Sequence, residues 1–137
     1  MKFYIATSFS NWISHNKVRD ALATFEHEIS YDWTLQGSIK SESKDRLREA
    51  AIQELQGVSD ADFLIVLLPG GHGTHLELGF GIASQKTVFL HSEDSELFEL
   101  GPQTNVFYHH PDVMRVSCPL DDLPSLVNSS LLVGQNR

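Results

Sequence analysis

The sequence predicts an α/β fold, in which a parallel sheet packs between helices. Short β-prone or apolar runs alternate along the chain with segments whose apolar residues recur at helical spacing. Residues 63–68 are apolar on both faces, as is typical of a central strand in a parallel sheet. The 137 residues contain no internal repeat or linker, so we expect one domain, 1–137, with right-handed crossovers.

The first part of the chain is predicted to form a strand, a helix and a second strand. Residues 2–6 are short and β-prone, and a polar turn follows that is suited to capping a helix. Apolar residues at helical spacing predict a helix over about 15–26. Residues 28–33 alternate as in a strand, and the polar stretch 34–43 has no period and is predicted to be a loop.

The remaining elements follow from capping residues and apolar runs. Ser43 is placed to cap a helix that ends near Gly57. Further strands are predicted at 63–68, 87–91, 106–108 and 113–116. Further helices are predicted at 75–84 and 121–132, where Pro124 suits a first turn.

Charge and composition exclude several classes of partner. The net charge is −8, and the 10 basic residues form no long cluster, so we do not expect nucleic acid to bind. The longest apolar run is too short to cross a bilayer, and the N-terminus lacks a secretion signal. The single cysteine, Cys118, fits a reducing compartment, so we expect a cytoplasmic protein without a membrane partner.

A glycine-rich loop follows the apolar strand, in the sequence LLPGGHGTHLELG. Pro69 ends the strand, and Gly70, Gly71 and Gly73 allow positive φ angles and close backbone approach. Free amides at the start of the next helix suit a phosphate, carboxylate or sugar oxygen. Residues 4–11 also follow a strand, so both loops are expected to meet at the carboxyl edge of the sheet.

Glu77 lies in the first turns of the helix after this loop. The helix dipole favours an ionised carboxylate there by about 0.3–1 kcal/mol. Such a carboxylate beside a sugar can attack the anomeric carbon, although a solvated helix glutamate is the alternative. Gly79 and Gly81 indicate a helix face pressed against the sheet, a neighbour or a ligand.

Two histidines raise the alternative of a metal site. His72 and His75 have His-x-x-His spacing, with His109 and His110 as further candidates. The spacing crosses a loop-to-helix junction and offers no clear third ligand, so we expect no metal.

Four motifs in the first ninety residues carry a family resemblance: YIATS at 4–8, ELQGVSDAD at 54–62, GTHLELG at 73–79 and KTV at 86–88. In these the chain resembles nucleoside 2-deoxyribosyltransferases and the related deoxynucleoside 5′-monophosphate N-glycosidases. The resemblance implies a flavodoxin-like (Rossmann-like) three-layer sandwich with a five-stranded, mainly parallel sheet. It also implies a homodimer or higher homo-oligomer.

The resemblance further implies cleavage of the bond between a base and a sugar, in a nucleoside or nucleotide, without a cofactor. Glu77 matches the nucleophile, and Tyr4 matches the tyrosine that orients it or the sugar. Glu54 stands where the family has an aspartate that helps transfer a proton to the leaving base. The expected division of labour is one ionised acid that attacks and one protonated group that feeds the leaving base.

Two departures from the family pattern affect the substrate-binding residues. Gly71 replaces an aspartate or serine, and Thr7 replaces a glycine. Backbone amides of the loop, together with two serines, are expected to replace the missing contacts, and two residues after the second strand are candidates to frame the base or to be merely structural. The expected substrate-binding residues are Thr7, Ser8, Ser10, Asp32, Trp33, Gly71, His72 and Gly73.

Three questions of function stay open at this point. Water as acceptor would make the protein a hydrolase, and a second base would make it a transferase. One rival is an enzyme that cleaves the nicotinamide–ribose bond of NAD. The other is a nucleotide-sensing module without turnover, which Gly71 and Glu54 favour.

Overall fold

The protein is described by a computed structural model, which covers residues 1–135. Its sheet has five parallel strands in the order β2-β1-β3-β4-β5, which confirms the predicted α/β class. The strands are β1 (Lys2–Ala6), β2 (Glu28–Ile29), β3 (Phe63–Leu67), β4 (Thr87–His91) and β5 (Val113–Val116). The helices are α1 (Trp12–Thr24), α2 (Lys44–Asp60), α3 (His72–Ala83) and α4 (Leu123–Gln135).

Helices cover both faces of the sheet, so the molecule is a three-layer sandwich. In β1, Phe3 and Ile5 join the core under α1 and α4, whereas Tyr4 and Ala6 join the core under α2 and α3. This alternation follows from the two-residue period of a strand. All five side chains of β3 are buried, as expected for a central strand of a parallel sheet.

The strand predicted at 28–33 is wrong beyond its first two residues. The carboxylate of Asp32 accepts hydrogen bonds from the backbone N–H of Thr34 at 3.0 Å and from its hydroxyl at 2.5 Å. These bonds begin a 3-10 helix, Trp33–Gln36, inside the segment predicted to be a loop. An aspartate that bonds the backbone two residues later competes with strand pairing, which explains the error.

The strand predicted at 106–108 is also wrong, because Val106–His109 forms a 3-10 helix. The side chain of Asn105 accepts a hydrogen bond from the N–H of Phe107 at 2.9 Å and starts this turn. The side chain of Tyr108 is then buried against the α2/α3 core, although the segment reads as β-prone.

Helices α2 and α3 have boundaries that differ from the predicted ones. Helix α2 runs past Gly57, which is needed for close approach: an added Cβ there would lie 2.7 Å from the Tyr31 Cβ and 3.0 Å from the Tyr4 ring. Helix α3 begins at His72 rather than at residue 75, with Gly71 as its N-cap. No helix within residues 1–135 is long and apolar enough to cross a membrane.

Candidate active site

A cavity of about 410 Å³ opens at the carboxyl edge of the sheet, between the ends of β1 and β3. These strands continue in opposite directions across the sheet, β1 to β2 and β3 to β4, so the cavity lies at the topological switch point. It is lined by the loop after β1, the segment after β2, α2 and the start of α3. Its lining residues are Thr7, Ser8, Phe9, Tyr31, Trp33, Gln36, Gly37, Ser38, Ile39, Lys40, Ala50, Glu54, Gly71, His72, Gly73, Thr74 and Glu77.

Glu77 and Tyr4 form a buried pair at this cavity. The Tyr4 hydroxyl donates a hydrogen bond to Oε2 of Glu77. Glu77 is only 7% exposed, and Tyr4 is fully enclosed in the α2/α3 core. The tyrosine therefore fixes the orientation of the carboxyl group from the sheet side, while Glu77 still lines the cavity.

Burial raises the pKa of Glu77 from 4.5 to about 8, and the nearby Glu54 charge adds to the rise. The hydrogen bond from Tyr4 acts in the opposite direction. The sequence predicts an ionised carboxylate because of the helix dipole. In the structure Glu77 is the sixth residue of α3, beyond the first turn where the dipole acts most strongly, and desolvation outweighs it.

The phenol of Tyr4 stays protonated for the same reason. Burial, followed by the negative charge of Glu77, raises the pKa of Tyr4 far above its usual value. Tyr4 is therefore a permanent hydrogen-bond donor to Glu77 rather than a base.

Glu54 supplies a second carboxyl group to the cavity from α2. Burial raises the pKa of Glu54 above its ordinary value, and its charge raises the pKa values of Tyr4 and Glu77. The three predicted catalytic side chains are thus brought together as one electrostatically coupled group.

A hydrogen-bonded brace joins the two loops at the edge of the sheet. The Thr7 hydroxyl donates to the carbonyl of Leu67 at 2.9 Å. The side-chain amide of Asn11 donates to the Thr7 hydroxyl at 3.2 Å and to the carbonyl of Pro69 at 3.0 Å. Sequence reasoning missed Asn11, which read only as part of a polar turn.

The glycine-rich loop contributes backbone rather than unusual dihedral angles. Gly71 has φ −95°, and the glycines with positive φ within residues 1–135 are Gly37 and Gly101, so the loop does not use the positive φ angles that its glycines allow. Gly70 is instead required for close packing, because an added Cβ would lie 2.4 Å from the Thr74 methyl. Among residues 1–135, the backbone N–H groups of His72 and Gly73 at the start of α3 have no hydrogen-bond acceptor.

The predicted substrate-binding residues fall into two groups. Thr7, Ser8, Trp33, Gly71, His72 and Gly73 line the cavity. Asp32 and Ser10 do not line it. The carboxylate of Asp32 accepts hydrogen bonds from Thr34 and, at 2.7 Å, from Arg19. Although burial opposes ionisation, these bonds lower the pKa of Asp32 on balance.

Trp33 is fixed in the cavity wall. Its indole N–H donates to the carbonyl of Ile5 at 2.8 Å, and its ring lies 5.0 Å from that of His15 in an edge arrangement. Sequence reasoning missed its neighbours Phe9, Tyr31 and Lys40 in the same wall. No local period marks them, and only the returning chain brings them together.

His75 is used inside the protein. One ring nitrogen bonds the carbonyl of Gly71 at 2.7 Å, and the other bonds the Tyr108 hydroxyl at 2.7 Å. Within residues 1–135, no three His, Cys, Asp or Glu side chains are grouped so that they could hold a metal ion.

Comparisons with known proteins show the fold. No protein-family model matches the chain, and no curated protein matches it in sequence. Among solved structures, the chain is similar to the CMP N-glycosidase BcmB of Clostridium botulinum, with a TM-score of 0.60 and 15% identity. The match covers 94% of this chain and 99% of that one, so the two share the fold over nearly their whole length. This confirms the fold that the sequence resemblance implies.

Proposed function

We propose that this protein cleaves the N-glycosidic bond of a nucleoside or nucleoside 5′-monophosphate, with Glu77 as nucleophile. One observation carries the proposal: Glu77, oriented by Tyr4 and coupled to Glu54, lines a cavity at the switch point of the sheet. The structural neighbour that acts on CMP supports it, because it has the same fold over its whole length.

The chemistry follows from the two carboxyl groups. Ionised Glu77 attacks the anomeric carbon, a C–O bond forms, and the C–N bond to the base breaks. Protonated Glu54 gives its proton to the leaving base, whose nitrogen takes the electron pair of the broken bond. Ionised Glu54 then takes a proton from water or from a second base as that molecule attacks the same carbon, and the C–O bond to Glu77 breaks and releases its carboxylate. No step uses a metal or an organic cofactor.

A nucleophilic Glu77 must be ionised, and its raised pKa disfavours that form in the free protein. The raised pKa therefore fits this chemistry only when substrate is bound. A glycosidic transition state carries positive charge on the sugar, and that charge favours the ionised form of an adjacent carboxyl. The same raised pKa favours a second candidate, a nucleotide-binding module without turnover, because burial in the free protein favours the protonated form of Glu77, which is not a nucleophile.

The rest of the cavity supports a nucleotide rather than a bare sugar. Phe9, Tyr31 and Trp33 offer aromatic surface for a base. Lys40 is the one Lys or Arg among the lining residues, and the free amides at the start of α3 are donors for a phosphate.

The test measures by chromatography the release of free base from nucleosides, 5′-monophosphates and NAD. Each reaction is run with and without a second free base as acceptor. We expect release by the wild type and at least about a hundredfold loss in Glu77→Gln, which keeps an acceptor for Tyr4. Glu28→Gln, an exposed glutamate on β2, is the control and should keep full activity. Ligand-induced thermal stabilisation without any base release would overturn catalysis and support the binding module.

A further inference from the structure

A second cavity of about 430 Å³ lies at the carboxyl ends of β3 and β4. None of its lining residues lines the cavity of Glu77. Asn11 and Pro69 belong to its wall, whereas Thr7 belongs to the first cavity, so the loop brace separates the two spaces.

His91 gives this cavity an unused acceptor. It is the last residue of β4 and only 2% exposed. Its Nε2 lies 2.7 Å from the carbonyl oxygen of Cys118, which can only accept, so the proton is on Nε2. In the neutral ring Nδ1 then carries a lone pair, and within residues 1–135 the hydrogen bond of the His91 ring is made by Nε2 and not by Nδ1.

The other lining groups restrict the chemistry of a ligand. The floor is aliphatic, formed by Leu67, Leu68, Pro69, Leu97 and Leu120. Glu93 and Asp94 add carboxylates, held in place by the backbone N–H groups of Leu120 and Glu96 at 2.9 Å each. No Lys or Arg lines the cavity, so an anion would be repelled and a donor-bearing molecule favoured.

We propose that this cavity is a second binding site, which takes a flat amino-substituted heteroaromatic base. The ring packs against the leucines, and the exocyclic amine donates a hydrogen bond to Nδ1 of His91. Nucleobases with an exocyclic amine, such as cytosine and adenine, belong to this class. The site does not depend on catalysis by Glu77 and would stand if the proposed function failed.

The probe is 4-aminopyrimidine, and its control is 4-methylpyrimidine, which has the same shape but no N–H donor. Binding to the full ¹⁵N-labelled chain is measured by calorimetry and by the Nδ1 resonance of His91. We expect the amine to bind about tenfold more tightly than the methyl compound and to shift that resonance to lower frequency.

Two variants locate the binding. His91→Gln keeps an amide N–H for the carbonyl of Cys118 but lacks Nδ1, and we expect about tenfold weaker binding of the amine. Glu28→Gln, at an exposed residue that lines neither cavity, should bind it as the wild type does. Equal affinity for both probes, or an unmoved Nδ1 resonance, would overturn the proposal. These two measurements use the wild type, so they decide the matter even where His91→Gln fails to fold.

Discussion

The Tyr4 hydroxyl is the closest polar partner of the proposed nucleophile, and its removal tests that role. Tyr4→Phe keeps the buried ring but loses the bond that orients Glu77 and lowers its pKa. A hydrogen bond to a charged group contributes about 1.5–3 kcal/mol, so we predict about a 10- to 100-fold loss of kcat/KM at neutral pH.

The control for this variant is a second tyrosine in the same cavity. The hydroxyl of Tyr31 donates to Gln53 at 2.9 Å and not to Glu77. Tyr31→Phe should therefore change kcat/KM by less than about threefold. Equal losses in the two variants would show that the bond to Glu77 has no special role.

The pKa of Glu77 also makes stability depend on pH. Between its ordinary value of 4.5 and its folded value of about 8, the folded chain binds more protons than the unfolded chain. The contribution of Glu77 is thus fully present below the ordinary pKa and is lost as pH rises through the folded one.

We predict that the free energy of unfolding of the wild type falls more steeply with pH than that of Glu77→Gln, which cannot titrate. Each pKa unit corresponds to about 1.4 kcal/mol, so the difference should reach on the order of 2–4 kcal/mol between acidic and mildly alkaline pH. Urea unfolding at a series of pH values measures it. Parallel curves for the two proteins would contradict the raised pKa.

Helix α3 tests how an element is fitted to the sheet. An added Cβ at Gly81 would lie 2.6 Å from Cδ2 of Leu64, which is fully buried, whereas an added Cβ at Gly79 meets nothing within 4 Å. The structure therefore assigns the expected close contact with the sheet to Gly81.

We predict opposite effects on thermal unfolding for the two alanine variants. Gly79→Ala should stabilise the protein by up to about 1 kcal/mol through helix propensity. Gly81→Ala should destabilise it by about 1–2 kcal/mol, because overpacking against Leu64 outweighs the same gain. Stabilisation by both substitutions would show that α3 is not pressed against β3.

The strands and helices, compared with their predictions, show where the local sequence is sufficient to predict secondary structure. The apolar run of β3 predicts a buried strand, and the structure has one. The loop after it predicts a following helix, although that helix begins three residues earlier than expected. The strand prediction for 28–33 was wrong because the side chain of Asp32 accepts a hydrogen bond from the backbone of Thr34 and ends the strand. The local sequence pattern does not show whether the backbone of this segment will bond to a neighbouring strand or to the Asp32 side chain, since both arrangements satisfy its hydrogen bonds.

For the molecule as a whole, the meeting of the two loops at one edge could be predicted, because both follow strands of a parallel sheet, and Tyr4 and Glu77 do lie together there. The pKa of Glu77 could not be predicted from the sequence, since it depends on burial by parts of the chain that are distant in sequence. The cavity wall formed by residues 36–40 was missed for the same reason.

We propose that the exposed face of α3 forms the interface of the expected homo-oligomer. Leu76 is 73% exposed and Phe80 is half-buried one turn later, and the one acid of the helix, Glu77, is buried. A helix face without charge allows two copies with net charge −8 to approach each other.

We therefore predict a dimer that Leu76→Glu converts to a monomer, measured by light scattering after size-exclusion chromatography. The matched control is Leu100→Glu, at a residue 96% exposed in a loop, which should leave the dimer intact. A monomeric wild type, or equal loss in both variants, would contradict this interface.

The central claim, that Glu77 is the nucleophile, is tested most directly by mass spectrometry of the acid-quenched enzyme during turnover of the best substrate. The account predicts that the peptide containing Glu77 gains the mass of the sugar, or sugar phosphate, and that Glu77→Gln gains none. Rapid base release with the sugar on another residue, or undiminished release by Glu77→Gln, would contradict it.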